Sequence, residues 1–339
     1  MERKPTIKDI AKLAGVTPAT VSYVLNGNNR VSEETRKRVL SVVRQLNYRP
    51  NMSARALVRN RSYRIGLFIP MSPRAFLDPF FAELLRGLTE VALAYRYVAS
   101  IIYANGLREV ESLHIRELVD GLVITEIKMH DEYIRYFYDK KIPFVSLGRG
   151  SHKHFEDYVV ADAKKGIREA MKYLYRLGHR RIGMVLGPLG YEYIQERYRF
   201  FREVQEELGL SFSSQYIATG ANSQEGGKEG ARRIMLRSTV KPTAILASTD
   251  IMAVGVIEFL QSVGYQVPDD LSVVGYDDVQ FSKYIRPSLT TIRQNVYEIG
   301  RQAGTMLISQ LEHLPYKKPL QIPVKLVVRN STTVNKENL

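Results

Sequence analysis

Residues 6–25 read TIKDIAKLAGVTPATVSYVL, and this stretch decides how the N-terminal part of the chain folds. Thr6 is followed three residues later by Asp9, a spacing that predicts the start of a helix. Gly15 predicts its end, because glycine accepts the left-handed backbone that terminates a helix. Pro18 predicts the start of a second helix, since the first helical position needs no N–H donor. The stretch therefore predicts two short helices joined by a tight turn.

The residues at the contact between these helices are typical of a helix-turn-helix. Two helices that cross after so tight a turn need a small residue, a glycine and a branched apolar residue. Ala11, Gly15 and Val21 fill these three positions. Ser32 and the two glutamates after it predict a third helix, because they cap and complement its positive N-terminus. A structural three-helix bundle without a ligand is the alternative interpretation.

Positive charge is concentrated at the start of the chain. Residues 1–64 carry +10 of the net charge of +14, and the remaining 275 residues carry +4. A basic head on a nearly neutral body predicts binding to a polyanion, whereas a solvated charged surface is the alternative. Together with the helix-turn-helix pattern, this charge predicts a DNA-binding headpiece.

The composition excludes several classes of protein and site. The chain has 339 residues and no cysteine, which removes disulfides, thiolate catalysis and cysteine-ligated metals. No apolar signal core follows the start and no apolar stretch is long enough to span a membrane, so we expect a cytoplasmic protein. No phosphate-binding glycine loop, Ser/His/Asp motif or metal-ligand spacing is present. We therefore expect neither an enzyme nor a resident cofactor or metal.

From Ile65 onward, apolar runs alternate with helical patterns. Ile65–Pro70 is typical of a buried strand, and a helix is predicted around Phe81–Tyr95. The same alternation continues through Leu271–Val274 and predicts parallel sheets covered by helices on both faces. Two such units in about 270 residues predict an α/β domain of two doubly wound lobes, with a ligand between them at the carboxyl ends of the strands.

Several strings in both parts of the chain are those of one protein family. In the headpiece they are TIKDIA (residues 6–11), GVT (15–17), ATVS (19–22), VLNG (24–27), VSEETR (31–36) and LNYRPN (46–51). In the body they are DPFFAEL (78–84), VDGL (119–122), LGHRRI (177–182), VPDD (267–270), GYDD (275–278) and PSLTTI (287–292). These strings resemble the LacI/GalR family of bacterial transcription regulators, and the resemblance extends nearly to the end of the chain.

The resemblance implies three parts. Residues 1–50 would form an all-α helix-turn-helix headpiece, residues 51–64 a hinge helix and linker, and residues 65–339 an α/β domain for effector binding and dimerisation. This last domain resembles periplasmic sugar-binding proteins, in which the chain crosses three times between lobes. The crossovers would give a proximal lobe, about 65–161 and 293–321, and a distal lobe, about 162–292 and 322–339.

The resemblance also implies how the headpiece binds DNA. The helix that starts at Pro18 enters the major groove, where Pro18, Ala19 and Tyr23 meet base edges through apolar contacts and the Tyr23 hydroxyl. A second group of residues binds phosphates and sets the register of the protein on the duplex. This group comprises Thr6, Thr17, Thr20, Ser22, Asn26 and Thr35, with Arg30 as a further DNA contact.

The segment after Pro50 is predicted to be a hinge helix. Asn51 caps a run of helix formers that is too short to be stable alone, which suits a helix that forms on DNA beside its dimer partner. In the family this helix enters the minor groove, and a leucine wedges between base pairs. Leu57 matches that leucine, and Asn51, Ala54 and Arg55 are expected to contact DNA with it. A charged tether is the alternative.

Family effector contacts correspond to six positions of the body. Arg197 matches an arginine whose planar fork grips ligand oxygens, and Asp277 matches an acid that accepts from hydroxyl or ring N–H groups. Phe80 and Phe81 match aromatic residues that pack on a ligand face. The remaining candidates are Asp250, as a polar pocket residue, and Arg149. Each candidate has a structural alternative. In these alternatives the aromatic residues pack in the core, the arginine forms a salt bridge, and the acids belong to a turn or cap a helix.

We therefore expect a transcription repressor that binds a palindromic operator as a homodimer. We expect its effector to be a small molecule, a sugar, bound between the two lobes. Two alternatives remain open: a carbon-catabolite-type global regulator controlled by a protein corepressor, and a sugar-binding protein without a role in transcription. The second alternative would not need the headpiece.

Overall fold

The computed structural model describes residues 5–25, 31–46, 61–70, 78–129, 131–150 and 155–336. The chain divides into two compact units, residues 1–62 and residues 63–339. Within the described ranges, no helix is long and apolar enough to cross a membrane.

The first unit contains three helices around a small apolar core. They are α1 (Ile7–Ala14), α2 (Pro18–Leu25) and α3 (Glu33–Gln45). Ile10, Val21 and Val39 are fully buried, one from each helix, so each apolar stripe faces the same core. The Thr6 backbone N–H donates to the Asp9 carboxylate at 2.7 Å, which fixes the start of α1 as its spacing predicts.

The turn between α1 and α2 has the backbone that its sequence predicts. Gly15 has φ +63°, the left-handed conformation that glycine adopts without steric cost. The Thr17 hydroxyl accepts from the Thr20 backbone N–H at 3.1 Å and satisfies one of the free donors at the start of α2. The Arg38 Nε of α3 donates to the Ala14 carbonyl at 2.9 Å and binds one of the free acceptors at the end of α1.

The second unit begins with a four-stranded parallel sheet, the first sheet, in the order β2-β1-β3-β4. Three of its strands are apolar and almost wholly buried, as expected where helices cover both faces, whereas the edge strand β2 is partly exposed. The strands are β1 (Arg64–Ile69), β2 (Val98–Tyr103), β3 (Gly121–Ile124) and β4 (Phe144–Ser146). The helices along this part of the chain are α4 (Pro79–Ala94), α5 (Leu107–Ser112), α6 (Ile115–Leu118) and α7 (Glu132–Asp139).

A second sheet has six strands in the order β12-β10-β9-β8-β6-β7. All its pairs are parallel except β10 with β12. The strands are β6 (Ile182–Leu186), β7 (Ile217–Thr219), β8 (Ala244–Ala247), β9 (Ser272–Asp277), β10 (Thr290–Gln294) and β12 (Val324–Val327). The helices are α8 (Ala163–Arg176), α9 (Glu192–Glu207), α10 (Gln224–Arg237) and α11 (Asp250–Ser262).

The chain passes between the two sheets at three places. A small parallel pair, β5 (Val159–Ala161) with β11 (Leu320–Ile322), contains two of them, and the third lies between β10 and α12 (Val296–Leu311). Helix α12 packs closely on α4 of the first sheet: a Cβ at Gly87 would lie 2.1 Å from the Tyr297 carbonyl oxygen. The predicted fold class, an all-α headpiece followed by an α/β domain with two doubly wound sheets, is confirmed.

Candidate functional site

A cleft that is open to solvent lies in the second unit. Several of its lining residues lie at or just beyond the carboxyl ends of strands of the two sheets: Glu126 comes shortly after β3, Gly148 shortly after β4, and Asp277 ends β9. Helix α9 supplies a further part of the lining. Because the carboxyl ends of parallel strands collect loops and helix starts, this is the edge where doubly wound folds bind ligands. The cleft is therefore the candidate ligand site.

Arg197 of α9 is the central side chain of the cleft, and only 5% of its surface is exposed. Its guanidinium lies over the Tyr276 ring, 3.6 Å from the centroid, and one Nη donates to the Ser248 carbonyl oxygen. The other Nη lies 3.6 Å from the Asp277 Oδ1. Contacts with the aromatic ring, the carbonyl and the carboxylate hold the fork in one orientation, as recognition of ligand oxygens requires.

Asp277 faces Arg197 from the end of β9. Its backbone has φ +121°, a conformation that side chains rarely adopt, and its Oδ1 accepts from the Gln294 amide at 2.5 Å. Burial raises the pKa of Asp277 to about 7, although Arg197 opposes the shift. Near neutral pH this carboxyl is therefore present both as an acceptor and as a donor of hydrogen bonds.

Asp250 lies behind Asp277 and outside the cleft lining. Its carboxylate accepts from the Val279 backbone N–H at 3.0 Å and from the Thr291 hydroxyl at 2.5 Å. Gly275 leaves the room that this requires, because a Cβ there would lie 2.3 Å from the Asp250 Oδ1. Burial first, and the nearby Asp277 second, raise the pKa of Asp250 well above its usual range. Asp250 thus holds the loop after β9 in place.

The structure places the other three predicted effector residues in three different environments. Phe80, near the start of α4, lines the cleft. Phe81 points away from the lining and packs in the core of the first sheet with Leu84. Arg149 lies beside the cleft, with its side chain about half exposed and its Nε 3.7 Å from the Glu196 carboxylate.

Several lining residues were absent from the sequence-based predictions. Tyr276 directly precedes Asp277. Because neighbouring side chains along a strand point to opposite faces of the sheet, the sequence pattern offered no reason to place both at one site. Glu126 follows the apolar run of β3, and a polar residue shortly after a buried strand is a signal that could have found it. Tyr193 and Gln294 carry no such signal, because each reaches the cleft only through packing between elements distant in sequence.

In the first unit, helix α2 presents an exposed face that contains the predicted base-reading residues. Pro18, Ala19 and Tyr23 are exposed, whereas Val21 and Val24 are buried. Of the predicted phosphate contacts, Thr17 is exposed, and Thr6, Thr20, Ser22 and Thr35 are partly buried. The predicted contacts Asn26, Arg30, Asn51, Ala54, Arg55 and Leu57 lie outside the described residues.

Comparison with known proteins identifies the relatives of this chain. Residues 6–51 match the family "Bacterial regulatory proteins, lacI family", and residues 171–332 match a periplasmic binding protein-like domain. The repressor PurR of Haemophilus influenzae is 33% identical over 341 residues, covering 96% of this chain and 98% of the relative. The chain belongs to the lacI family. It is a DNA-binding transcription regulator and not an enzyme, as its sequence predicts.

Two solved structures of lacI-type regulators are similar over nearly the whole chain. The lac repressor dimer bound to operator and the anti-inducer ONPF is 27% identical, with a TM-score of 0.82 and coverage of 98% of this chain and 100% of that chain. The complex of the transcriptional regulator CelR with cellobiose is 26% identical, with a TM-score of 0.74 and coverage of 96% and 99%.

Proposed function

We propose that this lacI-family regulator is a repressor that binds a palindromic operator as a homodimer and responds to a sugar bound in the cleft. It would act in the cytoplasm, where the operator DNA lies. The observation that carries the proposal is the arrangement around Arg197: a buried guanidinium fork, the carboxyl group of Asp277 that faces it and aromatic rings line one cleft.

Sugar hydroxyls donate and accept hydrogen bonds, and the faces of sugar rings are apolar. Arg197 supplies donors, Asp277 and Gln294 supply both donors and acceptors, and Phe80 supplies an apolar surface. The cellobiose complex of the CelR regulator supports a sugar as the ligand of the cleft. The proposed effector contacts are therefore Arg197, Asp277 and Phe80, with Asp250 positioning Asp277 from behind.

The headpiece carries the second half of the proposal. The exposed face of α2 places Tyr23, with 43% of its surface exposed, beside Pro18 and Ala19. One such face offers few base contacts, so two copies on a two-fold symmetric site are needed for sequence-specific affinity. The operator-bound dimer of the lac repressor supports this assembly.

Operator binding is tested with the full chain. A duplex selected from a random pool should be palindromic, and light scattering should give the mass of a dimer bound to it. Affinity measured by fluorescence anisotropy should fall steeply with salt, because neutralising each phosphate releases about one counterion. A duplex with one scrambled half-site is the matched control and should bind far more weakly.

A sugar panel added to the same complex tests the cleft. A sugar that binds one conformation of the protein more tightly than another should change operator affinity by roughly 5- to 150-fold, the usual range of coupling between two sites. An asymmetric site bound by one chain would contradict the dimer. Control by a phosphorylated carrier protein, with no response to any small molecule, would contradict the effector cleft.

A further inference from the structure

The lining of the cleft is strongly acidic. Among the described residues that line it, five are carboxylic acids and one is basic. The acids are Asp78, Glu126, Glu192, Glu196 and Asp277, and the base is Arg197. A neutral sugar needs hydrogen-bond donors and acceptors but no such excess of acidic groups. The excess therefore bears on the charge of the ligand.

Three of the five acids are bound by neighbouring groups. Asp277 faces Arg197, and Glu196 lies 3.7 Å from the Arg149 Nε. Glu192 accepts from the Gly150 backbone N–H at 3.1 Å. These carboxylates are already engaged by a cation or a backbone donor of the protein.

The other two acids, Asp78 and Glu126, have no cation within ion-pair distance among the described residues, although the charge of Arg197 lowers the pKa of Glu126. Asp78 accepts from the Phe80 backbone N–H at 3.0 Å, and Glu126 is hydrogen-bonded by Tyr193. Burial first, and the charge of Asp78 second, raise the pKa of Glu126 to about 7. Two like charges that face one cleft repel each other, and a cation placed near both would remove that cost.

Glu126 is also held in a strained conformation. Its backbone has φ +55°, in the left-handed region that favours glycine, shortly after β3. Non-glycine residues in this region cluster at ligand sites, where the surrounding structure imposes the conformation. The fold thus holds this carboxyl at the end of β3 despite the unfavourable backbone.

A separate observation shows that the ligand also carries hydrogen-bonding oxygens. The Arg197 Nε is buried without a hydrogen-bond partner within the described part of the chain, and the buried Tyr276 hydroxyl has no partner there other than the Arg197 guanidinium. Both side chains line the cleft. Buried donors without partners are costly, and a ligand with hydroxyl groups would satisfy them.

The carboxylates do not converge as metal ligands do. No group of three or more His, Asp or Glu side chains within the described ranges could hold a metal ion. The cleft is open to solvent, and the side chain of Phe80 offers an aromatic surface for a sugar ring. Carboxylates that line such a cleft without converging on one point suit an organic cation.

We infer that the effector is an amino sugar whose ammonium group binds Asp78 and Glu126, while its hydroxyl groups bind Arg197 and Tyr276. The inference rests on the proposed function, because it takes the cleft to be the effector site. An ammonium group has three donors, and its hydrogen bonds to carboxylates are among the stronger ones in proteins.

Calorimetry with the full chain at pH 7 tests this inference. The probes are glucosamine and its β-1,4-linked dimer, compared with glucose and cellobiose, which have hydroxyl groups in place of the amines. N-acetylglucosamine removes the charge and putrescine removes the sugar ring. The amines should bind at least about tenfold more tightly than their hydroxyl and acetyl counterparts, the effect of one charge-assisted hydrogen bond.

Two variants assign the preference to the cleft. Glu126→Gln should reduce affinity for the amino sugar by about tenfold and that for the neutral sugar by much less, because only the charge is removed. Glu206→Gln, at an exposed position at the end of α9, is the matched control and should change neither affinity. Putrescine should bind weakly, because it leaves Arg197 and Tyr276 unsatisfied.

The outcomes separate this inference from the proposed function. If glucose or cellobiose binds as tightly as the amines and shifts operator affinity, the amino-sugar inference is wrong and the sugar-responsive repressor stands. If the amines bind tightly to the Glu126→Gln variant, the ammonium is not at Asp78 and Glu126. If none of the probes binds while operator binding is intact, the amino-sugar inference is wrong, and the sugar panel on the operator complex decides the sugar-responsive cleft separately.

Discussion

The exposed face of α2 and the cleft are both proposed to bind ligands, but they are built differently. The residues on α2 are exposed and held by local bonds, such as the 3.1 Å bond from the Thr20 N–H to Thr17. The residues of the cleft are buried and held by partners far away in sequence, such as Arg197 by Ser248, Tyr276 and Asp277. The comparison indicates that binding and stability are separable at α2 and coupled in the cleft.

The largest effect is expected at Arg197. Arg197→Ala should abolish the response to the effector and lower the stability of the second unit by about 3 kcal/mol, since it leaves a buried carboxylate without its cation. Operator affinity without effector should stay near normal, because the headpiece is unchanged. Calorimetric unfolding and operator titrations with and without effector measure the two effects.

Arg197→Lys is the companion variant. It keeps a positive charge beside Asp277 but lacks the planar fork, so it should recover much of the stability and little of the effector response. An Arg197→Ala protein that responds fully would remove Arg197 from the site and redirect the search to Arg149, which lies beside the cleft. Such a result would also contradict the inference that ligand binding and stability are coupled in the cleft.

The same difference explains what could be predicted from sequence. The three described helices of the headpiece were predictable, because caps and turn residues such as Ser32, Gly15 and Pro18 act over one helical turn. The strands of the two sheets were predictable where they are continuous apolar runs, as in β1 and β6. Short strands such as β5 and β11 were missed, since three residues carry too little pattern.

The cleft was predictable only in part. Arg197 and Asp277 came from the family resemblance, and the structure places both in the cleft lining. Phe80 and Phe81 are adjacent in sequence, and only packing of α4 decides which of them faces the cleft. Glu126 and Tyr193 meet because β3 and α9 converge, a contact across more than sixty residues that no local pattern encodes.

An intermediate effect is expected on α2. Tyr23→Ala should weaken operator binding by roughly tenfold through loss of one hydroxyl contact and its apolar surface. The unfolding temperature should stay unchanged, because the side chain is 43% exposed. Tyr138→Ala, at a tyrosine that is 50% exposed in the second unit, is the matched control for a surface change. A large loss of stability in Tyr23→Ala would show that α2 is not as separable from folding as the comparison indicates.

The smallest effect is a pH dependence confined to the cleft. Burial raises the pKa of Glu126 and of Asp277 to about 7, from ordinary values of 4.5 and 3.8, so the folded protein holds protons that the unfolded chain has released. Stability should therefore fall as pH rises from about 5 to about 8, because the unfolded state binds fewer protons in this range. In Glu126→Gln, the loss of unfolding free energy between about pH 5 and about pH 8 should be smaller by about 1–2 kcal/mol. The unfolding temperature of the second unit, measured across this pH range, reports the difference. The exposed Glu206→Gln variant should keep the pH dependence of the wild type.

Saturation with an ammonium-bearing ligand should also flatten the pH dependence of stability, since the bound cation favours the ionised carboxylates and releases their protons. A wild-type slope that Glu126→Gln leaves unchanged would place the titrating groups elsewhere and remove Glu126 from the electrostatics of the cleft.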